Sequence, residues 1–298
     1  MEYFLQNTIN GVVIGLTYAL FAAGFAIIFG SLKALNFAYG LVFIGASYAS
    51  WFAASHFNLP IFPVGIVFAM IVGGLLNVLC ERLSYFPLRK RGGTEFYFQI
   101  AIATIAVGNI LKNVYNLVFT ADPVVYPQYE ELYRIIKFGG VQVSYIQLLN
   151  SIITIFMIAG LFFILKYTRY GMAIRAISFK PETAKLLAIN IEHTILKTFF
   201  LGGALAGAAG CLMTVFFGMV GPYLADHMFL KALLIIVIGG MGSLPGAIIA
   251  GLMMGLAESY SVAYISSSFK DVTILVIFFV ILIVKPDGLF GKRVVTRA

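Results

Sequence analysis

Uncharged apolar runs, most of about twenty residues, follow one another along this chain, and that length is what an α-helix needs to cross a hydrocarbon core of about 30 Å. Residues 9–29, 35–55, 59–80, 145–165 and 198–217 contain no lysine, arginine, aspartate or glutamate, and 96–120 contains only Lys112. With no water in the core to bond the backbone, such runs must be helices. Of the 298 residues, 61% are hydrophobic and 11% charged, far more apolar sequence than a soluble core needs. The expectation is an all-α polytopic membrane protein, one transmembrane domain over 1–298, with about eight spans. The first run is too long for a signal-peptide core and no small-residue cleavage site follows it, so it is expected to remain as a span.

The pattern breaks after residue 227. Residues 228–238 are followed by the glycine-rich stretch 239–246, and the apolar run resumes over 247–265 with Glu258 as its single charge. Eleven residues cannot cross the core, so 228–265 reads as a re-entrant region: a half-helix, a turn inside the protein and a returning helix. The interval 121–144 carries Asp122, Glu130 and Glu131, and its 134–138, Gly139-Gly140 and 141–144 segments predict a small β-hairpin.

The formal charge of +8 raises nucleic acid as a partner, but the charges lie between apolar runs rather than in one patch, which is the pattern of membrane topology. Fifteen of the twenty lysines and arginines fall in intervals assigned to one side: Lys33, 82–91, 166–197 and 285–297. Arg134, Lys137, Lys231 and Lys270 fall on the other, and Lys112 is expected to snorkel its amine outward. The positive-inside rule then puts the amino terminus outside, the carboxyl terminus in the cytoplasm and the hairpin on the outer face. Cys80 and Cys211 sit in or at the end of apolar runs and read as packing residues, with no metal site.

The longest polar interval on the basic side is 167–196. Ala173, Ile174 and Ile177 fall at helical spacing, Pro181 stops that helix and starts another, and Ala184, Leu187, Ala188 and Ile191 share a face of the second, with Asn190 as its C-terminal cap. Two short amphipathic helices at a membrane surface either dock in a partner's groove or lie flat on lipid.

No Gly-x4-Gly-Lys-[Ser/Thr] loop, His-Glu-x-x-His motif, paired intramembrane carboxylates or serine–histidine arrangement is present, so no catalytic residue is assigned. Glu258 and Lys112 read as the only intramembrane charges, fewer than a proton relay needs. A neutral or zwitterionic solute passing glycine backbone and small polar groups fits better, with Asn36, Tyr39, Thr104, Asn109, Gly239, Gly240, Gly242 and Ser243 as candidate path residues. The same asparagine and glycines also suit tight helix packing. A faint echo between Ala19-Leu20-Phe21-Ala22-Ala23-Gly24 and Ala204-Leu205-Ala206-Gly207-Ala208-Ala209-Gly210 hints at a duplicated fold.

Seven stretches together resemble the membrane permease of high-affinity branched-chain amino acid ABC importers. They are Met1-Glu2-Tyr3-Phe4-Leu5-Gln6, Gly15-Leu16-Thr17-Tyr18-Ala19-Leu20, Asn36-Phe37-Ala38-Tyr39-Gly40, Glu81-Arg82 with Pro87-Leu88-Arg89, Gly171-x-Ala173-x-Arg175-Ala176 leading to Ala188-Ile189-Asn190, 239–247, and Lys285-Pro286-Asp287-Gly288-Leu289-Phe290-Gly291. The resemblance implies a permease in the cytoplasmic (inner) membrane of a bacterium or archaeon. It implies partners too: a homologous second permease subunit, two cytoplasmic ATPase subunits that bind the ATP–Mg²⁺, and an extracytoplasmic solute-binding protein. This chain itself is implied to hold no cofactor. The stretch 167–196 becomes the ATPase-coupling element, with Arg169, Gly171, Arg175, Ala176, Glu182, Ala184, Leu187 and Ile189 as its contact surface. Tyr39 and Leu41 stand where the family more often has a histidine and an acid, which bears on the solute, and Ala188 stands where glycine is usual. Urea, amides and sugars are carried by similar permeases, and a gradient-driven carrier or channel for a small neutral solute is the rival reading.

Overall fold

The structure, a computed structural model, describes residues 1–57, 61–91, 96–119, 122–127, 133–138 and 140–291. The Gly92-Gly93 pair that follows the basic interval 82–91, the Glu130-Glu131 acids, Gly139 and the last basic residues of the tail lie outside these. The chain is an all-α polytopic membrane protein. Among the described residues seven helices are long and apolar enough to cross a membrane: Glu2–Leu32, Pro63–Lys90, Phe96–Phe119, Tyr145–Tyr167, Ile191–Phe217, Leu244–Tyr264 and Ser267–Val284. In chain order the α-helices are α1 (Glu2–Leu32), α2 (Tyr39–Phe57), α3 (Ile66–Cys80), α4 (Phe86–Arg91), α5 (Phe96–Phe119), α6 (Tyr145–Tyr167), α7 (Arg169–Phe179), α8 (Pro181–Leu186), α9 (Ile191–Phe217), α10 (Leu224–Gly239), α11 (Leu244–Tyr264) and α12 (Lys270–Val284). A π-helical turn, Glu81–Tyr85, joins α3 to α4 in one continuous span.

The two small-residue helices form the centre. α1 and α9 are almost wholly enclosed, whereas α6 and α12 turn most of their apolar surface outward, as helices facing lipid do. α11 lies antiparallel along α1, with Gly251 against Ala19 and Gly255 against Gly15, and α3 lies antiparallel along α9, with Gly73 against Gly203 and Ala69 against Gly207. Only residues lacking bulk allow backbones to approach so closely.

Each central helix ends in the same way. Lys33 closes α1 in the left-handed region (φ 57), Gly218 closes α9 likewise (φ 72), and in both cases the next helix begins six residues later, at Tyr39 and Leu224. At the same spacing the Ala19-Leu20 and Ala204-Leu205 echoes fall in register. The intervening backbone turns back into the protein, so Asn36 and Ala38 are buried and Tyr39 stacks on Phe21 and Phe25, well before the end of α1. α2 therefore starts four residues later than the apolar run suggests: residues 35–38 are irregular backbone, tolerated at depth because protein surrounds them. The two re-entering starts meet, the Gly40 backbone resting on that of Ala225. α1 and α9 run in opposite directions, so the halves form an inverted pair.

The half-helix expected over 228–238 is longer. α10 has 16 residues, about 24 Å at the α-helical rise, because the turn at Pro222-Tyr223 starts it at Leu224. Its carboxyl end is closed by the tail: the Leu289 amide donates to the Ile238 carbonyl (2.7 Å) and the Phe290 amide to the Gly239 carbonyl (3.1 Å), satisfying carbonyls that a helix end leaves bare. Gly240 (φ 96) and Gly242 (φ 84) then turn the chain through conformations that disfavour a side chain. Gly242 lies beside Gly30, so the turn reaches the level at which α1 ends.

The expected hairpin is present as β2 (Ile135–Phe138) paired with β3 (Val141–Ser144), Ile135 opposite Ser144. Gln6 clamps it to α1, donating from Nε2 to the Gln142 carbonyl and accepting from the Gln142 amide, each at 2.8 Å. A second short pair, β1 (Val124–Val125) with β4 (Met219–Val220), ties the α5–α6 loop to the end of α9. Opposite the hairpin, Lys33, Arg89, Lys90, Lys166, Arg175 and Lys185 gather around two adjoining cavities of about 530 and 670 Å³. This is the basic end.

Candidate functional site

Four groups of polar residues stand out against the apolar background. The first is the α1–α2 re-entry. Asn36 Nδ2 donates to Asn77 Oδ1 (3.0 Å), the Ala38 amide to Asn36 Oδ1 (3.1 Å), the Phe37 amide to Thr104 Oγ1 (3.3 Å), and Asn77 Nδ2 to the Phe199 carbonyl (2.7 Å). Tyr39 donates between the carbonyls of Gly202 (2.9 Å) and Phe21 (3.2 Å). Asn36, Tyr39, Asn77 and Thr104 are all fully buried. In this state these side chains join α2, α3, α5 and α9 around an irregular segment. Asn77 was not singled out from sequence: one asparagine in an apolar run looks like any other until its partner is known.

The second group is a buried ionic cluster. Lys231 on α10 contacts both Glu258 oxygens at 2.8 Å and the Tyr18 hydroxyl at 2.6 Å, while Tyr18 donates to Glu258 Oε2 at 2.7 Å and Lys270 stands 3.8 Å from Oε1. Lys231, assigned from sequence to the outer side, is thus an intramembrane cation. A buried amine needs a paired anion, and Glu258, read as an isolated charge, is that anion. The cluster ties α1, α10, α11 and the start of α12 together.

The third is Lys112 with Asp226, 2.6 Å apart. The lysine amine does not snorkel outward: long helical side chains lean toward their own amino terminus, which brings this one to the first turn of α10. Asn109 lies on the same exposed face of α5 and donates nothing to the Asn36 group. Gly239, Gly240, Gly242 and Ser243 do not join that group either. They form the turn at the basic end, where Ser243 Oγ caps α11 by accepting from the Gly246 amide (3.2 Å).

The fourth is the α7–α8 element. Thr168 caps α7 by accepting from the Gly171 amide (3.1 Å), and Pro181 occupies the first turn of α8. Gly171, Ile174, Ile177 and Ala184 face inward, Ala176 and Ile189 are half-buried, and Arg169, Arg175, Glu182 and Leu187 face out. An Arg175 Nη1 to Leu165 carbonyl bond and a Tyr170 hydroxyl to Thr198 Oγ1 bond (3.1 Å) fasten α7 to α6 and α9. Burial pushes the Tyr170 phenol up to about 12 despite the opposing pull of Thr198, so it stays a donor at neutral pH. Two local expectations change. α8 stops at Leu186, so Leu187 is 68% exposed rather than part of a buried stripe. Asn190 caps the next helix, its Oδ1 accepting from the His193 amide (3.0 Å), because an asparagine is favoured at a helix start at least as strongly as at an end. Between them Ala188 adopts φ 56, a left-handed conformation that glycine holds without strain.

Comparison with known proteins places this architecture. Residues 7–284 match the family model described as branched-chain amino acid transport system / permease component. The chain is 31% identical over 305 residues to the high-affinity branched-chain amino acid transport system permease protein LivH of Escherichia coli (strain K12), covering 99% of this chain and 98% of that one. It is 30% identical over 306 residues, with the same coverage, to the permease protein BraD of Pseudomonas aeruginosa. A more distant likeness, 25% over 264 residues covering 83% and 73%, is to the ribose import permease protein RbsC of Haemophilus influenzae. Among solved structures, PsaBC from Streptococcus pneumoniae in complex with Fab shares the fold, with a TM-score of 0.52, 14% identity and coverage of 96% and 94%. The chain belongs to the family of branched-chain amino acid transport permeases.

Proposed function

We propose that this chain is the membrane-spanning subunit of an ABC importer that moves branched-chain amino acids, or a related small polar solute such as urea or an amide, inward. The work is driven by two separate ATPase subunits, which bind the ATP–Mg²⁺. A homologous second permease subunit and an extracytoplasmic solute-binding protein complete the assembly. The basic end faces the cytoplasm of a bacterial or archaeal cell, following the lysine and arginine excess, and the amino terminus and hairpin face out.

The observation that carries this reading is the outer surface of α7–α8. It sits at the basic end and exposes Phe179 (85%), Leu186 (87%) and Leu187 (68%) beside Glu182 and Arg169. A contiguous apolar surface rimmed by charge marks a protein contact. α7 is bonded to α6 and α9, so a push on this element reaches the central helices, and alternating access follows as the inverted halves rock about their junction.

Replacing Glu182 by alanine together with Leu187 by aspartate is expected to lower ATP-driven solute uptake about tenfold, the effect of losing roughly 1.4 kcal/mol at an interface. The chain itself should remain folded, since both side chains face solvent. Unchanged solute-coupled ATP hydrolysis in the assembled complex would remove α7–α8 from the coupling route.

A further inference from the structure

We propose that Lys112 and Asp226 form a station for a zwitterionic α-amino acid in the translocation path, Lys112 receiving its carboxylate and Asp226 its ammonium. The proposal rests on the permease reading above and deepens it by assigning a solute contact to this chain.

The first support is the face on which the pair lies. Asn109, Lys112, Asn113 and Asn116 recur on α5 at intervals of three and four residues, the spacing of one helical stripe. Tyr223, which precedes α10, and the exposed α10 positions Asp226, His227 and Leu230 have the same spacing. The Lys112–Asp226 contact joins the two stripes into one surface. This surface lies level with the re-entering starts of α2 and α10: Gly108, one turn before Lys112, rests on Ala38 and Leu41, and Ala225, beside Asp226, rests on Gly40. A charged side chain turned to hydrocarbon at such depth costs about 3 kcal/mol, and asparagine amides add to it. The face is therefore turned away from lipid, toward water or the second permease subunit, and a charged face so placed lines a path.

The second support is the contrast between this pair and the Lys231–Glu258 pair. Lys231 and Glu258 are sealed, with side chains 11% and 10% exposed and a tyrosine hydroxyl completing their bonding. Lys112 and Asp226 are 37% and 62% exposed, and among the described residues neither makes another hydrogen bond to a side chain that would hold it in place. A sealed pair is a structural tie. An open one yields its partner at small net cost, because an incoming ammonium and carboxylate replace each charge with its like. Asn109 and Asn113 offer amide groups alongside, and Leu230, one turn beyond Asp226, offers apolar surface to the solute's side chain.

The test is uptake of radiolabelled L-leucine by the complete importer in proteoliposomes, with binding protein outside and ATP inside. The wild-type chain is compared with Lys112→Gln, Asp226→Asn and the double variant, with ATP hydrolysis and complex recovery measured in parallel. Each single variant is expected to slow uptake about tenfold, and the double variant at least as much, with recovery of the assembled complex unchanged. A double variant that regains wild-type uptake makes the pair a structural tie and overturns the station. Unchanged uptake in the single variants overturns it also. If the wild-type importer carries urea in preference to leucine, the zwitterion assignment falls while the permease reading stands. If it moves neither solute on ATP, the permease reading falls.

Discussion

Gly255→Leu is expected to leave little folded protein, while Gly160→Leu, made at another glycine of a spanning helix, leaves it intact. A side chain at Gly255 meets the backbone of Gly15 and Gly11 on α1, where no rotamer change makes room; at Gly160 nothing lies within 4 Å. Overpacking of a tight contact costs about 1–3 kcal/mol and often more, and here backbone meets backbone along the central seam of the molecule. Fluorescence-detected size exclusion in mild detergent reads the outcome as a lost monodisperse peak for the first variant and a retained one for the second. Equal behaviour of the two would mean that α1 and α11 do not meet at this seam.

The second large effect concerns the sealed ion pair. Glu258→Gln leaves the Lys231 amine buried beside the Tyr18 hydroxyl and one neutral amide oxygen, without the carboxylate charge that paired it, and Lys270 no longer balanced. Removing one member of a buried pair costs about 3–5 kcal/mol, so the thermal midpoint of the purified chain should fall sharply. The double change Lys231→Met with Glu258→Leu removes both charges and is expected to recover most of that loss. Failure of the double change to recover stability would give the two charges a role beyond their mutual neutralisation.

Much of this architecture is legible in the sequence because a bilayer allows so few solutions. Run length gives the helices, charge asymmetry groups the basic loops, and Gly139-Gly140 between alternating segments gives the hairpin. What was not legible depends on partners far apart in sequence. The apolar run 35–55 hides the irregular start at Asn36, because Ala34 and Ala38 are as apolar as any lipid-facing residue; only the fully buried Asn36–Asn77 bond distinguishes it. A half-helix starting at Met228 puts Lys231 in its first turn and so on the outer side; α10 begins at Leu224, which carries Lys231 deeper. The Lys112–Asp226 contact joins residues on two elements whose proximity follows from the inverted pairing of α2 and α10, of which the sequence carries only the Ala19/Ala204 echo. Of the proposed path residues, Asn36, Tyr39 and Thr104 converge on the re-entry, Asn109 falls on the open α5 face, and Gly239, Gly240, Gly242 and Ser243 gather at the basic end. A path joining them would run along the length of the chain rather than through one cavity.

The measurement that bears most directly on the central claim is L-leucine uptake by membrane vesicles containing this chain with its co-expressed subunits. Vesicles loaded with ATP are compared with ATP-free vesicles bearing an imposed ion gradient. Uptake that requires ATP and is indifferent to the gradient is the predicted result. Uptake that persists without ATP and follows the gradient would contradict the account and make the chain a secondary carrier.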